Sequence, residues 1–279
     1  MAVQNSLQRS RGNQRLGISA YLTADAVKNQ INQVVGGKDG QRFISAIVSA
    51  VNTNPALQEC TNQSILSGAL LGESLKLSPS PQLGQYYLVP FNDKNKGKVA
   101  QFQLGYKGYI QLAIRSGQYK KLNVLAIKEG ELIRFDPLNE EIEVRLIEDE
   151  EEREQANTIG YYAMFEYTNG FRKAIYWSKR KMEAHALKYS KGYQAKKGYT
   201  FWEKDFDGMA YKTMLRQLIS KWGIMSIDMA SAIDSDMAVI NEDGTKDYVD
   251  NDATVFDMEP AQEATPQQSQ PEPAVLFLL

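Results

Sequence analysis

Apolar residues recur every three to four positions along the first third of the chain, which is the spacing of one face of an α-helix. Boundary signals divide this stretch: the Gly36-Gly37 pair ends a first helix, Asn54-Pro55 ends a second, and Thr61 is placed to cap a third. The predicted helices are Thr23 to about Val35, Arg42–Val51, and one that begins after Thr61 and ends before Pro79.

The period changes from helical to alternating near residue 85. Aromatic and β-branched runs are joined by turn residues, and Asn169-Gly170 marks the strongest hairpin, because Asn-Gly adopts the positive φ angles of a two-residue turn. A short helix, Tyr106–Ser116, interrupts the strands. Glu148–Glu154 is a highly charged segment that we expect to lie between two strands. The predicted strands are Gln85–Phe91, Lys98–Leu104, Lys121–Ile127, Glu131–Phe135, Glu141–Leu146, Thr158–Tyr167 and Phe171–Trp177.

Helical spacing returns after the last strand. Ser178 is placed to cap a helix that ends near Tyr189, and a basic loop follows over Ser190–Tyr199. Two further helices are predicted at about Glu203–Trp222 and Met225–Ile233. The pattern predicts an α+β fold with N-terminal helices, a central antiparallel β-sheet of hairpins with an inserted short helix, and C-terminal helices.

Composition divides the chain into three parts. Residues 1–20 are polar and carry Arg9, Arg11 and Arg15, so we expect a flexible arm that either orders on DNA or a neighbouring subunit or stays solvated. Residues 21–233 form the folded core. Residues 234–279 are acidic and rich in Gln and Pro, and they contain too little apolar surface to offset chain ordering, which predicts a disordered tail.

The net charge of −2 conceals a sharp division of charge along the chain. Residues 1–135 carry 16 Lys/Arg against 7 Asp/Glu, and residues 172–222 carry 13 against 4. Between them, residues 136–154 carry 2 against 10, and the last 57 residues, 223–279, carry 1 against 12. A mostly cationic body with an acidic tail indicates a polyanion as partner.

Residues that would support common enzymatic sites are scarce. Gly97-Lys98 lacks the preceding loop glycine of a nucleotide-phosphate loop, and the one histidine, His185, lies within a predicted helix. With one cysteine, Cys60, and no secretory or membrane-spanning run, the sequence favours a protein of a reducing cytoplasm. We expect no catalytic residues, no metal ligands and no cofactor, ATP included. The sequence contains no signal for or against an effect of magnesium on strand pairing.

Two predicted helices carry basic residues at spacing four, which places them on one side of each helix. In the short helix the stripe is Lys107, Gln111 and Arg115, while Ile110, Ala113 and Ile114 fall on the other side. Gly105 and Gly108 flank the start of this helix and leave its backbone N–H groups open to a phosphate. In the long helix the stripe is Lys204, Gly208, Lys212 and Arg216. Each stripe is either a DNA-binding ridge or an ordinary solvated face.

The region between the two stripes mixes lysines with aromatic residues. Its candidate contacts are Lys188, Lys191, Lys196 and Lys197 together with Tyr193 and Trp202. This mixture fits a single strand, because phosphates take the charge and each unpaired base offers a face for stacking. About half of the fifteen tyrosines are expected in the core instead.

Three blocks in order, Leu77–Pro90, Leu104–Tyr119 and Phe206–Lys221, resemble the RecT family of phage and prophage recombinases. The resemblance implies a DNA-binding protein that anneals single strands in homologous recombination without ATP and assembles as rings or helical filaments. It implies DNA contacts at the matched positions Lys107, Gln111 and Arg115 of the second block and Lys212, Thr213 and Arg216 of the third.

The expected partners are single-stranded DNA, its complementary strand and further copies of the chain. Two alternatives remain open at this point. One is a metal-dependent nuclease or nucleotidyl transferase that uses Glu203, Asp205 or Asp207. The other is a passive single-strand binding module whose tail recruits an exonuclease or a host single-strand binding protein.

Overall fold

The computed structural model describes residues 16–36, 39–93, 95–198 and 200–248. The apolar spacing of the N-terminal third folds into helices that pack on one another and on the first β-hairpin. They are α1 (Ile18–Leu22), α2 (Asp25–Val35), α3 (Gly40–Thr53) and α4 (Asn62–Ser74), with a 3₁₀ turn at Pro55–Glu59. The Thr61 hydroxyl accepts a hydrogen bond from the backbone N–H of Ser64 and so caps α4 as predicted.

Helix α4 is buried on most sides because the first hairpin lies against it. In this hairpin, β1 (Tyr86–Asp93) pairs antiparallel with β2 (Gly97–Leu104). The Tyr86 ring lies against Gly72 of α4, where a Cβ atom would overlap the ring. The absence of a side chain at this position lets the strand and the helix approach each other closely. Helix α5 (Tyr106–Ser116) follows directly after β2.

A second antiparallel sheet has the strand order β3 (Tyr119–Lys128), β6 (Thr158–Tyr167), β7 (Arg172–Ser178). The hairpin of β4 (Leu132–Asp136) and β5 (Glu141–Val144) packs on one face of this sheet, against Tyr162 and Met164. The remaining elements follow in chain order: α6 (Glu150–Gln155), α7 (Lys179–Tyr189), α8 (Lys191–Gln194), α9 (Phe201–Lys204), α10 (Phe206–Trp222), α11 (Ile227–Ser235), β8 (Val239–Ile240) and β9 (Lys246–Asp247).

Helix α10 lies between two hydrophobic cores. Met214 and Leu218 belong to the core that α10 forms with α7 and the β3-β6-β7 sheet. Leu215 and Ile219 belong to the core formed with the N-terminal helices, the first hairpin and α5. Each pair is spaced by four, and the two pairs are offset by one residue, so two adjacent faces of the helix are buried. Polar residues of α10 that lie beside these two faces are therefore enclosed by the protein.

The segment after α11 is folded against β2 through backbone hydrogen bonds. The Phe102 N–H donates to the Ala238 carbonyl at 2.8 Å, and the Met237 N–H donates to the Phe102 carbonyl at 2.8 Å. The Asp236 carboxylate, 1 % exposed, accepts hydrogen bonds from Lys212 Nζ at 2.9 Å and from Arg216 Nη1 at 2.6 Å. It also accepts from the backbone N–H of Leu104 at 2.9 Å. One buried carboxylate thus joins β2 to α10.

The predicted start of the disordered tail at residue 234 is therefore wrong. Residues 236–248 belong to the same compact unit as the body. Their acidic composition indicated a tail, but Asp236 is neutralised by cations that lie far from it in sequence. Residues 249–279 lie outside the described residues.

The predicted arm at residues 1–20 also ends earlier than expected. Helix α1 begins at Ile18, and the carbonyl of Leu16 accepts a hydrogen bond from the Asn62 side chain at 2.8 Å. Residues 1–15 lie outside the described residues, so the arm itself stays a prediction for that range.

The predicted α+β class is confirmed, and Tyr106–Ser116 and Thr158–Tyr167 have the predicted bounds. Several elements differ from prediction. A short helix, α8, forms within the predicted basic loop, and the sequence pattern does not predict α1, β8 or β9. Helix α6 forms within the charged segment Glu148–Glu154 and the residue after it. The helix predicted over Glu203–Trp222 is broken at Asp205, whose carboxylate accepts a hydrogen bond from the Gly208 N–H and caps α10. No helix in the described part of the chain is long and apolar enough to span a membrane.

A buried ion pair holds α6 to the turn between β3 and β4. The Glu131 side chain is fully buried and accepts hydrogen bonds from Arg153 Nε at 2.6 Å and from the backbone N–H groups of Lys128 and Ile147. Burial alone raises the pKa of Glu131, but the hydrogen bond from Arg153 and the two backbone donors outweigh burial and hold that pKa below its ordinary value.

We expect Asp236→Ala to lower the free energy of unfolding by about 3–5 kcal/mol, because the change leaves Lys212 and Arg216 buried without a counter-charge. Asp234→Ala is the matched control, since Asp234 pairs with Lys246 at the surface and should cost less than about 1 kcal/mol. Urea unfolding of both variants measures the difference. Equal stability of the two variants would contradict the role given to Asp236.

We expect the contribution of Glu131 to depend on pH in a defined direction. A carboxyl group whose pKa falls on folding stabilises the protein above its unfolded pKa, ordinarily about 4.5, and loses that contribution as the pH falls through its folded pKa. The gap in unfolding free energy between the wild type and Glu131→Gln should be largest near pH 7 and should shrink below about pH 4. A gap that stays constant from pH 7 to pH 3 would rule out this linkage.

Candidate nucleic-acid interface

The start of α5 is packed against the loop that precedes β1. A Cβ atom on Gly105 would overlap the carbonyl of Gly84, and one on Gly108 would overlap the carbonyl of Gln85. The Gly105 N–H donates to the Gln85 carbonyl at 2.9 Å. The glycines therefore admit protein backbone, and the prediction that they leave room for a phosphate is wrong for these two positions.

The predicted stripe on α5 is exposed at Lys107 and Gln111. Arg115 is also exposed as a residue, but its guanidinium donates to the backbone carbonyls of Leu75 at 2.5 Å and Lys76 at 3.3 Å. Ile114, predicted on the core side, is 62 % exposed, so the accessible face of α5 is broader and more apolar than expected. Of the residues in this stripe, Lys107 is the one that lies near Tyr87 and the loop before β1.

Tyr87 and Phe201 connect α5 to α9. Their ring centroids lie 5.5 Å apart, and Phe201 is 38 % exposed. Gly84 lies beside both the Tyr87 hydroxyl and the aliphatic part of Lys107, since a Cβ atom built there would meet each of them within 3.4 Å. Burial raises the pKa of Tyr87, and the charge of Asp205 raises it further, which places the start of α10 next to this ring. We name the surface formed by Gly84, Tyr87, Lys107, Phe201 and Lys204 the aromatic seam.

The basic loop adjoins the aromatic seam. The Ser190 hydroxyl caps α8 at the Tyr193 N–H, and a Cβ atom on Gly192 would contact the methyl group of Thr200, directly before Phe201. The lysines predicted here are exposed at the surface: Lys188, Lys191, Lys196 and Lys197. The cations of α7 and α8 therefore continue toward α9. Tyr199 lies outside the described residues.

Of the two predicted stacking residues, Trp202 is buried and Tyr193 is half-buried. The Trp202 ring packs on Phe206 at 5.1 Å and on Tyr193 at 6.2 Å. The expectation that Trp202 offers a free face to a base is wrong for this structure, and the exposed ring is that of the preceding residue, Phe201. Tyr193 supports Trp202 from the side of α8.

The second predicted ridge is largely internal. Lys204 is exposed, but Lys212 is 7 % exposed and, with Arg216, bonds Asp236, while the Thr213 hydroxyl donates to the Met209 carbonyl at 2.9 Å. A Cβ atom on Gly208 would overlap the Asp205 carboxylate, so this glycine accommodates the helix cap and not a ligand. The prediction of a solvent-facing ridge through Lys212, Thr213 and Arg216 is wrong, because α10 buries two faces and the C-terminal segment covers this side.

The carboxylates considered for metal chemistry serve as local hydrogen-bond acceptors. Glu203 accepts from the N–H and hydroxyl of Thr200, Asp205 caps α10, and Asp207 accepts from the Tyr161 hydroxyl at 2.6 Å. Within the described ranges, no group of three or more His, Cys, Asp or Glu side chains is arranged to hold a metal ion.

His185 lies in an aromatic cluster of α7. Its ring is half-buried between Trp177 at 5.5 Å and Tyr189 at 4.5 Å. Burial lowers the pKa of His185 to about 4, and the nearby charges of Lys188, Arg216 and Lys181 add to this shift. The imidazole is therefore neutral at physiological pH.

Sequence reasoning missed Tyr87, although strand alternation contains the necessary signal. Tyr86 and Leu88 are buried, so the side chain of Tyr87 leaves β1 on the opposite face. The contact between Tyr87 and Phe201 joins residues 114 positions apart, and no local pattern indicates it.

The sequence of this chain is similar to a protein family and to individual proteins. A model of the RecT family matches residues 41–252. The chain is 38 % identical over 270 residues to the uncharacterized protein YqaK of Bacillus subtilis (strain 168), covering 93 % of this chain and 87 % of that protein. It is 28 % identical over 240 residues to the protein RecT of Escherichia coli (strain K12), covering 82 % and 86 % respectively. These matches confirm the resemblance carried by the three sequence blocks, and the chain belongs to the RecT family, whose function is single-strand annealing in DNA recombination.

Proposed function

We propose that this chain binds single-stranded DNA along the aromatic seam and the adjoining basic loop, and pairs it with its complement without consuming a nucleotide. The observation that carries the proposal is the contact between Tyr87 and Phe201, which brings Lys107 of α5 next to α9, the short helix that ends at the exposed Lys204. Exposed cations beside an exposed ring form the combination that a single strand requires.

The chemistry of the seam favours a single strand over a duplex. A base stacked on an aromatic ring contributes about 1–3 kcal/mol, and a duplex keeps its bases stacked on each other. Phosphate contacts from Lys107, Lys204 and the loop lysines contribute charge neutralisation to either form. Stacking on Phe201 should therefore decide the strand type, while the lysines decide overall affinity.

A mechanism without nucleotide hydrolysis fits the local structure around Gly97-Lys98. Both residues lie in β2, and Lys98 pairs with Glu59, so this stretch is a strand end and not a phosphate-binding loop. Pairing then depends on charge neutralisation, which lowers the repulsion between two strands held on the protein.

Assembly into a ring or filament follows from the size of the surface. One subunit covers only several nucleotides, and stable pairing needs a longer aligned tract, so subunits repeated along the strand supply the length. Residues 1–15 and the N-terminal helices are the expected contacts between subunits. The acidic residues 249–279 are the expected docking segment for an exonuclease or a host single-strand binding protein.

We expect the double variant Lys107→Gln, Lys204→Gln to weaken binding to a single-stranded oligonucleotide about tenfold near 0.15 M salt, and to make the slope of log affinity against log salt shallower by about 1.4. Lys98→Gln with Arg145→Gln is the matched control, because it removes two exposed charges that lie outside both the aromatic seam and the N-terminal helices. Fluorescence anisotropy across a salt series gives both quantities.

The ring at position 201 should act differently from the charges. Phe201→Ala should lower affinity by about 1–3 kcal/mol with an unchanged salt slope, and Phe201→Tyr should retain binding. If both seam variants bind like the control, the seam is not the binding surface.

We expect the wild-type protein to accelerate pairing of complementary oligonucleotides in buffer without nucleotide, as followed by energy transfer between labelled strands. A truncation after Tyr248 should retain this acceleration, since residues 236–248 complete the folded body. Binding of single strands by the wild type without any acceleration of pairing would favour the passive module with a recruiting tail. Cleavage of labelled strands in the presence of Mg²⁺ or Mn²⁺ would favour the nuclease.

A further inference from the structure

A second cationic and aromatic surface lies at the opposite end of α10 from the aromatic seam. Trp222 ends the helix and is 39 % exposed. Lys173 Nζ lies 3.8 Å and Lys221 Nζ 5.6 Å from the centroid of the Trp222 ring. Lys181 of α7 lies over the neighbouring Trp177 ring at 4.4 Å. We name Lys173, Lys181, Lys221 and Trp222 the distal patch.

The cations of the distal patch are poorly compensated by the protein itself. Lys173 pairs with Glu140, but in the part of the chain that the structure describes neither Lys181 nor Lys221 forms an ion pair. Burial lowers the pKa values of Lys173 and Lys181, and the charge of Lys221 lowers both further. The Lys221 ammonium group therefore repels those of Lys173 and Lys181, which is a cost that a bound polyanion removes.

The position of Lys181 adds to this cost. The first turn of α7 contains Lys179, Arg180 and Lys181 and no acidic residue. The positive end of a helix dipole favours carboxylates and disfavours cations. Three cations at this end destabilise the free protein, and their placement is explained when an external anion lies against them.

Aromatic surface is also accessible at this end of the molecule. Phe171, 47 % exposed, stacks on Tyr167 with ring centroids 5.9 Å apart. The Tyr167 hydroxyl donates to the Trp222 carbonyl at 3.3 Å, which holds Phe171 and Trp222 on the same side of the fold. Cations and exposed rings thus occur together here as they do at the aromatic seam.

A row of lysines leads from one surface to the other. Lys181 and Lys188 are exposed on α7 seven residues apart, which is two helical turns, and Lys191 follows on α8 beside the aromatic seam. The 17 residues of α10 give an end-to-end distance of roughly 25 Å. At about 3.4 Å per nucleotide, a stacked strand of about seven nucleotides covers that distance.

We propose that the distal patch is a second nucleic-acid contact, on which a single strand held at the aromatic seam continues along α7 to Lys181, Lys221 and Trp222. This inference rests on the proposed function, because it extends the same strand. The lysines contact phosphates, and Trp222 stacks on a base. The ligand is a stretch of single-stranded nucleic acid longer than the seam alone accommodates.

The test compares two oligodeoxyadenylates, one of about 4 and one of about 20 nucleotides, because four nucleotides at about 3.4 Å each cover only about 14 Å of the roughly 25 Å. We expect Lys181→Gln with Lys221→Gln to weaken binding of the longer strand about tenfold near 0.15 M salt and to make its salt slope shallower by about 1.4. Binding of the shorter strand should change less than about twofold. Lys98→Gln with Arg145→Gln again serves as the control.

A second variant tests the ring independently of the charges. Trp222→Ala should weaken binding of the longer strand with an unchanged salt slope, and Trp222→Tyr should restore it, with thermal unfolding confirming that both variants are folded. Control-like binding by the lysine variant would overturn the inference. So would a changed sedimentation coefficient with unchanged affinity, which would make the distal patch a contact between subunits. If the wild type binds neither strand, the proposed function itself fails.

Discussion

Two cations of α10 lie where water has little access to them, and one carboxylate neutralises both. Lys212 and Arg216 share Asp236, and the same carboxylate accepts the N–H of Leu104 at the end of β2. A buried charge without a partner costs several kcal/mol, so α10, β2 and the C-terminal segment must come together as a set. The two hydrophobic cores on either side of α10 depend on this helix having no unsatisfied charge between them.

Helix α10 consequently acts as a rigid spacer between two surfaces. Its N-terminal end is capped by Asp205 next to Tyr87 and Phe201, and its C-terminal end carries Lys221 and Trp222. Both ends are fixed by packing that does not involve a ligand. A surface preorganised in this way loses little conformational entropy on binding.

Local patterns predicted the elements that local chemistry determines. The Ser178 cap and the bounds of β6 are set by neighbouring residues and are confirmed. The turn at Asn169-Gly170 also forms, but it spans three residues and only Gly170 has a positive φ, so the predicted two-residue turn is wrong. The predicted exposure of Lys212 and Arg216 is wrong because a spacing of four is typical of an exposed stripe and equally of a stripe that faces a buried counter-charge. The residue that distinguishes the two cases, Asp236, lies 24 and 20 positions away.

The exposed ring of α9 is that of Phe201 and not the predicted Trp202, for a similar reason. Neighbouring residues on a short helix point to different sides, and tertiary packing alone selects which of them is buried.

The hydrogen bond from Leu104 to Asp236 joins residues 132 positions apart. This separation affects which parts of the fold can form while the chain is still being synthesised. A ribosome releases β2 and α10 before it releases the carboxylate that both require. Until that residue emerges, the nascent chain carries two cations that are costly to enclose, so α10 cannot settle between its cores. The native packing of α10 between its two cores therefore requires that the C-terminal segment has left the ribosome.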